Sequence, residues 1–247
     1  MAHYSKAPIL EAIIEIRWPN EVSFDDLVAA SKDGTFSGFG EPKIRKDVVS
    51  TFDPQSTVAT HTSKDVGLEF TRRDGQEVVF FDVGSCAYIQ KAPYDKWDNF
   101  CGSALKVFQP IIDSRQVTHL DRIGVRFVNR IDIPVDDTRR IATETFIKVN
   151  FDGPRNDGTD LIEFQMRIVK ESPRQGIAYA LLIATTTSPV ENHGAIIVDV
   201  DAFTLGPTST DSGIYLEVLR ELREEKNEIF KSCLTDAAIG LFGEVIE

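Results

Sequence analysis

The chain has 247 residues, 42% of them hydrophobic, and 39 acidic side chains against 27 basic ones give a formal charge of −12. Apolar residues in that supply, 16 Phe among them, are enough for a sizeable core, while the acidic balance argues against broad binding to nucleic acid or to an anionic membrane surface. The three cysteines, Cys86, Cys101 and Cys233, lack CxxC spacing and suit buried, reduced thiols in a cytoplasmic protein. The first residues do not read as a signal peptide, and no apolar run approaches the roughly 18 residues that a membrane span needs.

Pro8 to Trp18 reads as a first strand, with Glu11, Glu15 and Arg17 on one side and Ala12, Ile14, Ile16 and Trp18 on the other. Ser23 then fits a helix N-cap, followed by Asp25 and Asp26 at the positive end of the helix dipole. Strands are predicted near 42–52, 66–73, 76–83 and 85–91, with Asp74-Gly75 as a tight turn. A helix after Pro93 carries Trp97, Phe100, Cys101, Ala104, Leu105, Phe108, Ile111 and Ile112 in one stripe, and Pro110 is expected to disturb its last turn.

His119 to Pro134 forms the organising strand. Its odd positions hold Ile123, Val125, Phe127, Ile131 and Ile133, and its even positions hold Arg122, Arg126 and Arg130. Asn129 falls on the greasy side and reads as a buried structural bracket that needs hydrogen-bond partners. A helix capped by Asp136 or Asp137, a polar loop at 152–160 and strands near 161–170, 176–187 and 194–203 follow. Asp211 or Ser212 caps the longest helix, in which Tyr215, Val218, Leu219, Leu222, Ile229 and Cys233 share a face, and Thr235-Asp236 opens a short final one.

The element order repeats. Residues 8–113 and 119–235 each run strand, helix, three or four strands, long helix. The expected architecture is therefore α+β: a single domain over 1–247, built of two pseudo-repeated β-α-β(3-4)-α halves that share an antiparallel sheet system, with helices on one face and a polar opposite face.

That polar face collects the candidate site. Glu15 and Arg17 come from the first strand, Arg122, Arg126 and Arg130 from the organising strand, Glu163 and Arg167 from the strand near 165, and Asp199 and Asp201 from the strand near 200. Two readings fit. Cross-strand ion pairs on an exposed sheet face would be worth roughly 0.2–1 kcal/mol each and carry no function. A recessed polar surface would use the guanidinium forks to hold a phosphate or carboxylate. Arg122 and Arg130 stand roughly 26 Å apart on an extended strand, so only neighbouring arginines could grip one small ligand.

Catalytic signals are sparse. The histidines His3, His61, His119 and His193 lack zinc-site spacing. Asp199 and Asp201 with Glu163 could hold Mg²⁺, but pairing with arginines competes for the same carboxylates. No serine or cysteine sits in a nucleophile motif. Neither a metal nor a cofactor is expected, and the chain leans away from being an enzyme.

Tyr4 to Ala12 with Glu15-Ile16-Arg17, then Arg122 to Ile131 ending at Pro134, then Asp199 to Phe203 and Ile229-Phe230 through Leu234-Thr235-Asp236, together resemble a sporadically distributed family of uncharacterised bacterial proteins of similar length. The resemblance covers nearly the whole chain. It implies a single bacterial domain, and the family's patchy distribution implies a mobile-element or defence setting. Arg223-Glu224-Glu225-Lys226 departs from that family's pattern, which carries a histidine there.

Three functions compete. The first is a non-catalytic binding or regulatory protein acting through a partner protein or a small anionic ligand. The second is a metal-dependent phosphohydrolase similar to the triphosphate-tunnel enzymes, in which Glu11, Glu15, Glu163, Asp199 and Asp201 would hold metal and the arginines phosphate. The third is a structural subunit of a homo- or hetero-oligomer. A closed barrel would favour the second, an open sheet the first.

Overall fold

The structure is a computed structural model that describes residues 3–53, 58–114, 116–135, 141, 143–149 and 163–246. The strands are β1 (His3–Tyr4), β2 (Ile9–Arg17), β3 (Lys43–Asp53), β4 (Val58–Thr71), β5 (Glu77–Asp82), β6 (Ser85–Lys91), β7 (His119–Leu120), β8 (Arg122–Pro134), β9 (Gln165–Glu171), β10 (Ile177–Thr187), β11 (His193–Thr204), β12 (Thr208–Ser209) and β13 (Val245–Ile246). The helices are α1 (Phe24–Ala30), α2 (Trp97–Ser114), α3 (Thr143–Phe146), α4 (Ser212–Cys233) and α5 (Asp236–Gly240).

Among the described residues, nine strands form one antiparallel sheet in the order β3-β4-β5-β6-β2-β8-β11-β10-β9. The sheet is open, with β3 and β9 at its edges. The β2–β8 pair stands at its centre. Two short ladders, β1 with β13 and β7 with β12, tie the chain ends and connections together.

Local chemistry accounts for most elements. Along β8, Ile123, Val125, Phe127, Asn129, Ile131 and Ile133 are buried, while Arg122, Val128, Arg130 and Asp132 are half-buried and Arg126 is exposed. A period of two decides that division. Ser23 caps α1 by accepting from the Asp26 amide. Asp211, rather than Ser212, caps α4, its carboxylate accepting from the amides of Gly213 and Ile214. Thr235 caps α5. Gly75 takes φ +77° in the β4–β5 turn, a conformation that side chains resist.

Helix α2 lies against β2 and β6, and α4 against β8 and β11. The buried apolar residues divide into two clusters. One joins β2, β5, β6 and the first half of β8 to α2 and to Tyr215, Leu219 and Leu222 of α4. The other joins the second half of β8, β10 and β11 to Ile229 and Cys233 of α4 and to α5.

Three expectations need correction. Helix α2 runs unbroken through Pro110 to Ser114. A proline removes one amide donor, and here Val107, Phe108, Ile111 and Ile112 around it are all buried, so packing holds the turn. Strand β4 starts at Val58, not near 66, because its first residues pair with β3 in an exposed ribbon that has no buried face to mark it in the sequence. Strand β9 starts at Gln165, leaving Glu163 ahead of it. The predicted cap at Asp136 or Asp137 and the polar loop at 152–160 lie outside the described residues.

Candidate functional site

The arginines at 122, 126 and 130 each face a carboxylate of the same molecule. Arg122 donates to Glu15 at 2.5 Å and to Asp201 at 2.6 Å, bridging β2 and β11 across β8. Arg126 grips Asp199 with two bonds, Nε at 2.9 Å and Nη2 at 2.6 Å. Arg130 donates to Asp132 two residues along its own strand, and Asp132 also accepts from Ser188. Arg17 pairs with Glu15 through two bonds of 3.0 Å.

A glycine makes the first of these possible. A Cβ on Gly124 would come within 2.5 Å of an Arg122 nitrogen, so the guanidinium lies where that side chain would be. It also covers the Phe203 ring, 4.6 Å from its centroid, and Phe203 is the register partner of Gly124. Burial pushes the Asp201 carboxyl above its usual range against the pull of Arg122 and Arg126. The hydrogen bonds that Arg126 donates to Asp199 raise its already high value further.

The remaining predicted residues stand apart. Arg167 is exposed on β9 opposite Leu182, whose partner on β11 is Asp199, so an apolar side chain separates the two. Glu163 is exposed ahead of β9. Among the described residues no group of His, Cys, Asp and Glu gathers as a metal site. On the arginine face, then, three of the predicted acids neutralise three of the predicted arginines, and Arg130 is neutralised by an acid that was not singled out.

A different site lies on the helix side. A cavity of about 500 Å³ opens between the segment at Tyr4–Ile9, the start of α2, β8, α4 and α5. Tyr94, Trp97, Phe127, Phe230 and Phe242 supply its aromatic walls. Its polar residues are Asn129 of β8 and Arg223, Lys226 and Asn227 of α4, with exposed Asp95, Lys96, Asp98 and Lys231 around it. The cavity sits between the two apolar clusters, at the level where both β8 and α4 turn polar.

Lys226 is the unusual member. It is 5% exposed, and its Nζ lies 3.4 Å from the centre of the Phe127 ring. No carboxylate pairs with it among the described residues. Its neighbour Glu225 is also buried but points to Arg174, at 3.1 Å. Burial first, and the Arg223 charge second, hold the Lys226 amine well below the ordinary lysine range. Arg223 stacks on Trp97 at 5.1 Å and has no acid partner among the described residues. Asn129 donates to the carbonyls of Phe127 and Val198, meeting the expectation of a bracketing buried amide.

Sequence reasoning passed over Lys226, although a signal was present. Tyr215, Leu219, Leu222, Ile229 and Cys233 fall at alternating spacings of four and three except for one double step, and position 226 fills that step. A lysine thus occupies the buried seam of α4 at the level where Asn129 occupies the buried side of β8. The Cys101 thiol of α2 is buried and pushed up to about 11 by burial and by Asp98, so it is not a nucleophile near neutral pH.

No helix among the described residues is long and apolar enough to cross a membrane. The chain matches no protein-family model, and no curated protein matches it.

Proposed function

We propose that the protein is a binding or regulatory protein that takes a small anionic ligand with an apolar, aromatic-sized body into the cavity between β8, α2 and α4. The observation that carries this reading is an arginine, Arg223, that has no carboxylate partner among the described residues and stands at an aromatic-walled cavity of about 500 Å³. A guanidinium of that kind is suited to a carboxylate or phosphate, and the volume lies within the range of ordinary small-molecule sites. The arginine face is a weaker candidate, because a ligand there would have to displace Asp199, Asp201 or Glu15. The test is calorimetry and thermal shift with small aromatic carboxylates. Binding that weakens at least tenfold in Arg223→Gln is expected; binding unchanged in that variant but lost in Arg126→Ala would return the site to the arginine face.

The phosphohydrolase reading draws less support. It needs Glu15, Asp199 and Asp201 free for metal, and all three hold arginines. No triphosphate release with Mg²⁺ or Mn²⁺ is expected above background.

A partner protein is favoured by one separate observation. The β3–β4 ribbon exposes Val48 at 64% and Val49 at 59%, alongside exposed Ile44. Apolar side chains exposed on an edge ribbon suit pairing with another chain. We also infer a duplicated fold. Outward from the central β2–β8 pair, the orders β2-β6-β5-β4 and β8-β11-β10-β9 correspond, with the polar sides of both halves on one face and the helices on the other. The family resemblance adds the proposal of a bacterial cytoplasmic protein in a mobile-element or defence setting.

A further inference from the structure

We propose that Lys226 is a nucleophilic amine that captures its ligand covalently: it forms a reversible imine with the carbonyl group of a small oxo acid whose carboxylate is held by Arg223. This rests on the cavity being the ligand site and adds the ligand's chemical class.

The geometry supports it in three ways. Lys226 and Arg223 are three residues apart on α4, which puts their side chains about 5–6 Å apart at the Cβ atoms on one helix face. Both residues line the cavity, so their side-chain ends can converge on the adjoining carboxylate and carbonyl groups of one oxo acid. Lys226 is buried, with an aromatic ring beside its nitrogen, and among the described residues no acid pairs with it. Asn129 and Asn227 supply the remaining polar surface, and among the described residues the Asn129 side-chain oxygen has no donor.

The charged and titratable neighbours point the same way. Asp95 ahead of α2, Asp98 in its first turn and Lys231 of α4 are exposed, and Tyr94 is pushed above its usual range by burial and stays a neutral phenol. Among the described residues, the charge acting on Lys226 is that of Arg223, and burial together with a second cation shifts the amine toward its free-base form.

The step balances without a redox partner. The amine lone pair attacks the carbonyl carbon, forming the C–N bond, and the carbonyl π electrons move to oxygen. Proton transfer from nitrogen to oxygen gives the carbinolamine. Loss of that oxygen as water, with the two hydrogens of the amine, leaves the imine, and water reverses every stage.

The test uses the full chain with phenylpyruvate as the oxo acid, 3-phenylpropanoate as an anion lacking the carbonyl, and phenylacetone as a ketone lacking the carboxylate. Each is incubated with sodium cyanoborohydride, and the adduct is located by peptide mass mapping. A single reduced phenylpyruvate adduct on Lys226 is expected, absent in Lys226→Met. Arg223→Gln should raise the phenylpyruvate concentration for half-labelling at least tenfold and slow the phenylacetone reaction, which has no carboxylate to lose, by a smaller factor. Labelling spread over exposed lysines with Lys226 unmodified overturns the proposal. If 3-phenylpropanoate and phenylpyruvate both bind but no adduct forms on Lys226, covalent capture is wrong and the cavity reading stands. If neither binds and nothing is labelled, both fall.

Discussion

Two residues show opposite ways of placing charge in this molecule. Arg122 is partly buried but shares its guanidinium between Glu15 and Asp201 over the bare Cα of Gly124. Gly124→Ala should dislodge it and destabilise the fold by about 1–2 kcal/mol, since a partly buried charge loses its hydrogen bonds. In an Arg122→Met background the same glycine change should cost much less, and a double-mutant cycle by urea denaturation measures the coupling. Arg126→Ala should cost about 1–3 kcal/mol, because Asp199, itself buried, then loses both its bonds. Lys226 is buried with no such compensation among the described residues. Lys226→Met should therefore stabilise the protein by about 1–3 kcal/mol near neutral pH. The folded-state value is lowered, so between it and the ordinary lysine value the unfolded chain binds the additional proton, and stability rises with pH across that window. The advantage of the methionine variant should shrink as pH climbs toward about 10.5, which chemical denaturation at pH 7 and pH 10 would reveal.

At the scale of elements, α4 carries the most consequence. It packs on β8 and β11 and bears Arg223, Lys226 and Asn227. Its start depends on one side chain, since the Asp211 carboxylate satisfies two otherwise free amides at 3.0 and 3.2 Å. Asp211→Ala should cost about 1 kcal/mol in thermal denaturation. The β3–β4 ribbon is the other element with an open question of partners. Replacing Val48 and Val49 by lysine should leave the melting temperature nearly unchanged, because neither is buried. If this ribbon is a docking surface, the double variant should lose self-association or partner binding in analytical ultracentrifugation and pull-down; unaltered association would remove the ribbon from consideration.

For the whole molecule, the nine-stranded sheet of the described residues carries ion pairs over β2, β8 and β11, and α2 and α4 pack against its central strands. The interruption between its two apolar clusters forms the cavity. A ligand seated there contacts β8, α2, α4 and α5 together, so binding should raise the melting temperature with ligand concentration as mass action requires.

Strand and helix identities were legible in the residues because they depend on local period and on caps. The alternation in β8 and the serine, aspartate and threonine caps needed no partner to be read. The β3–β4 ribbon was not fully legible, because an exposed two-stranded arm buries no face and leaves no period-two stripe. The arginines and carboxylates were rightly gathered from the sequence, but only register could decide that Arg122 reaches Asp201 and Arg126 reaches Asp199, a diagonal pattern set by the β8–β11 ladder. Position 226 breaks the stripe of α4 and position 129 breaks the buried side of β8, and each break is visible in the chain. That the two breaks meet, leaving a lysine beside a phenylalanine ring and an arginine stacked on a tryptophan, depends on contacts between residues far apart in the chain, which no local pattern encodes.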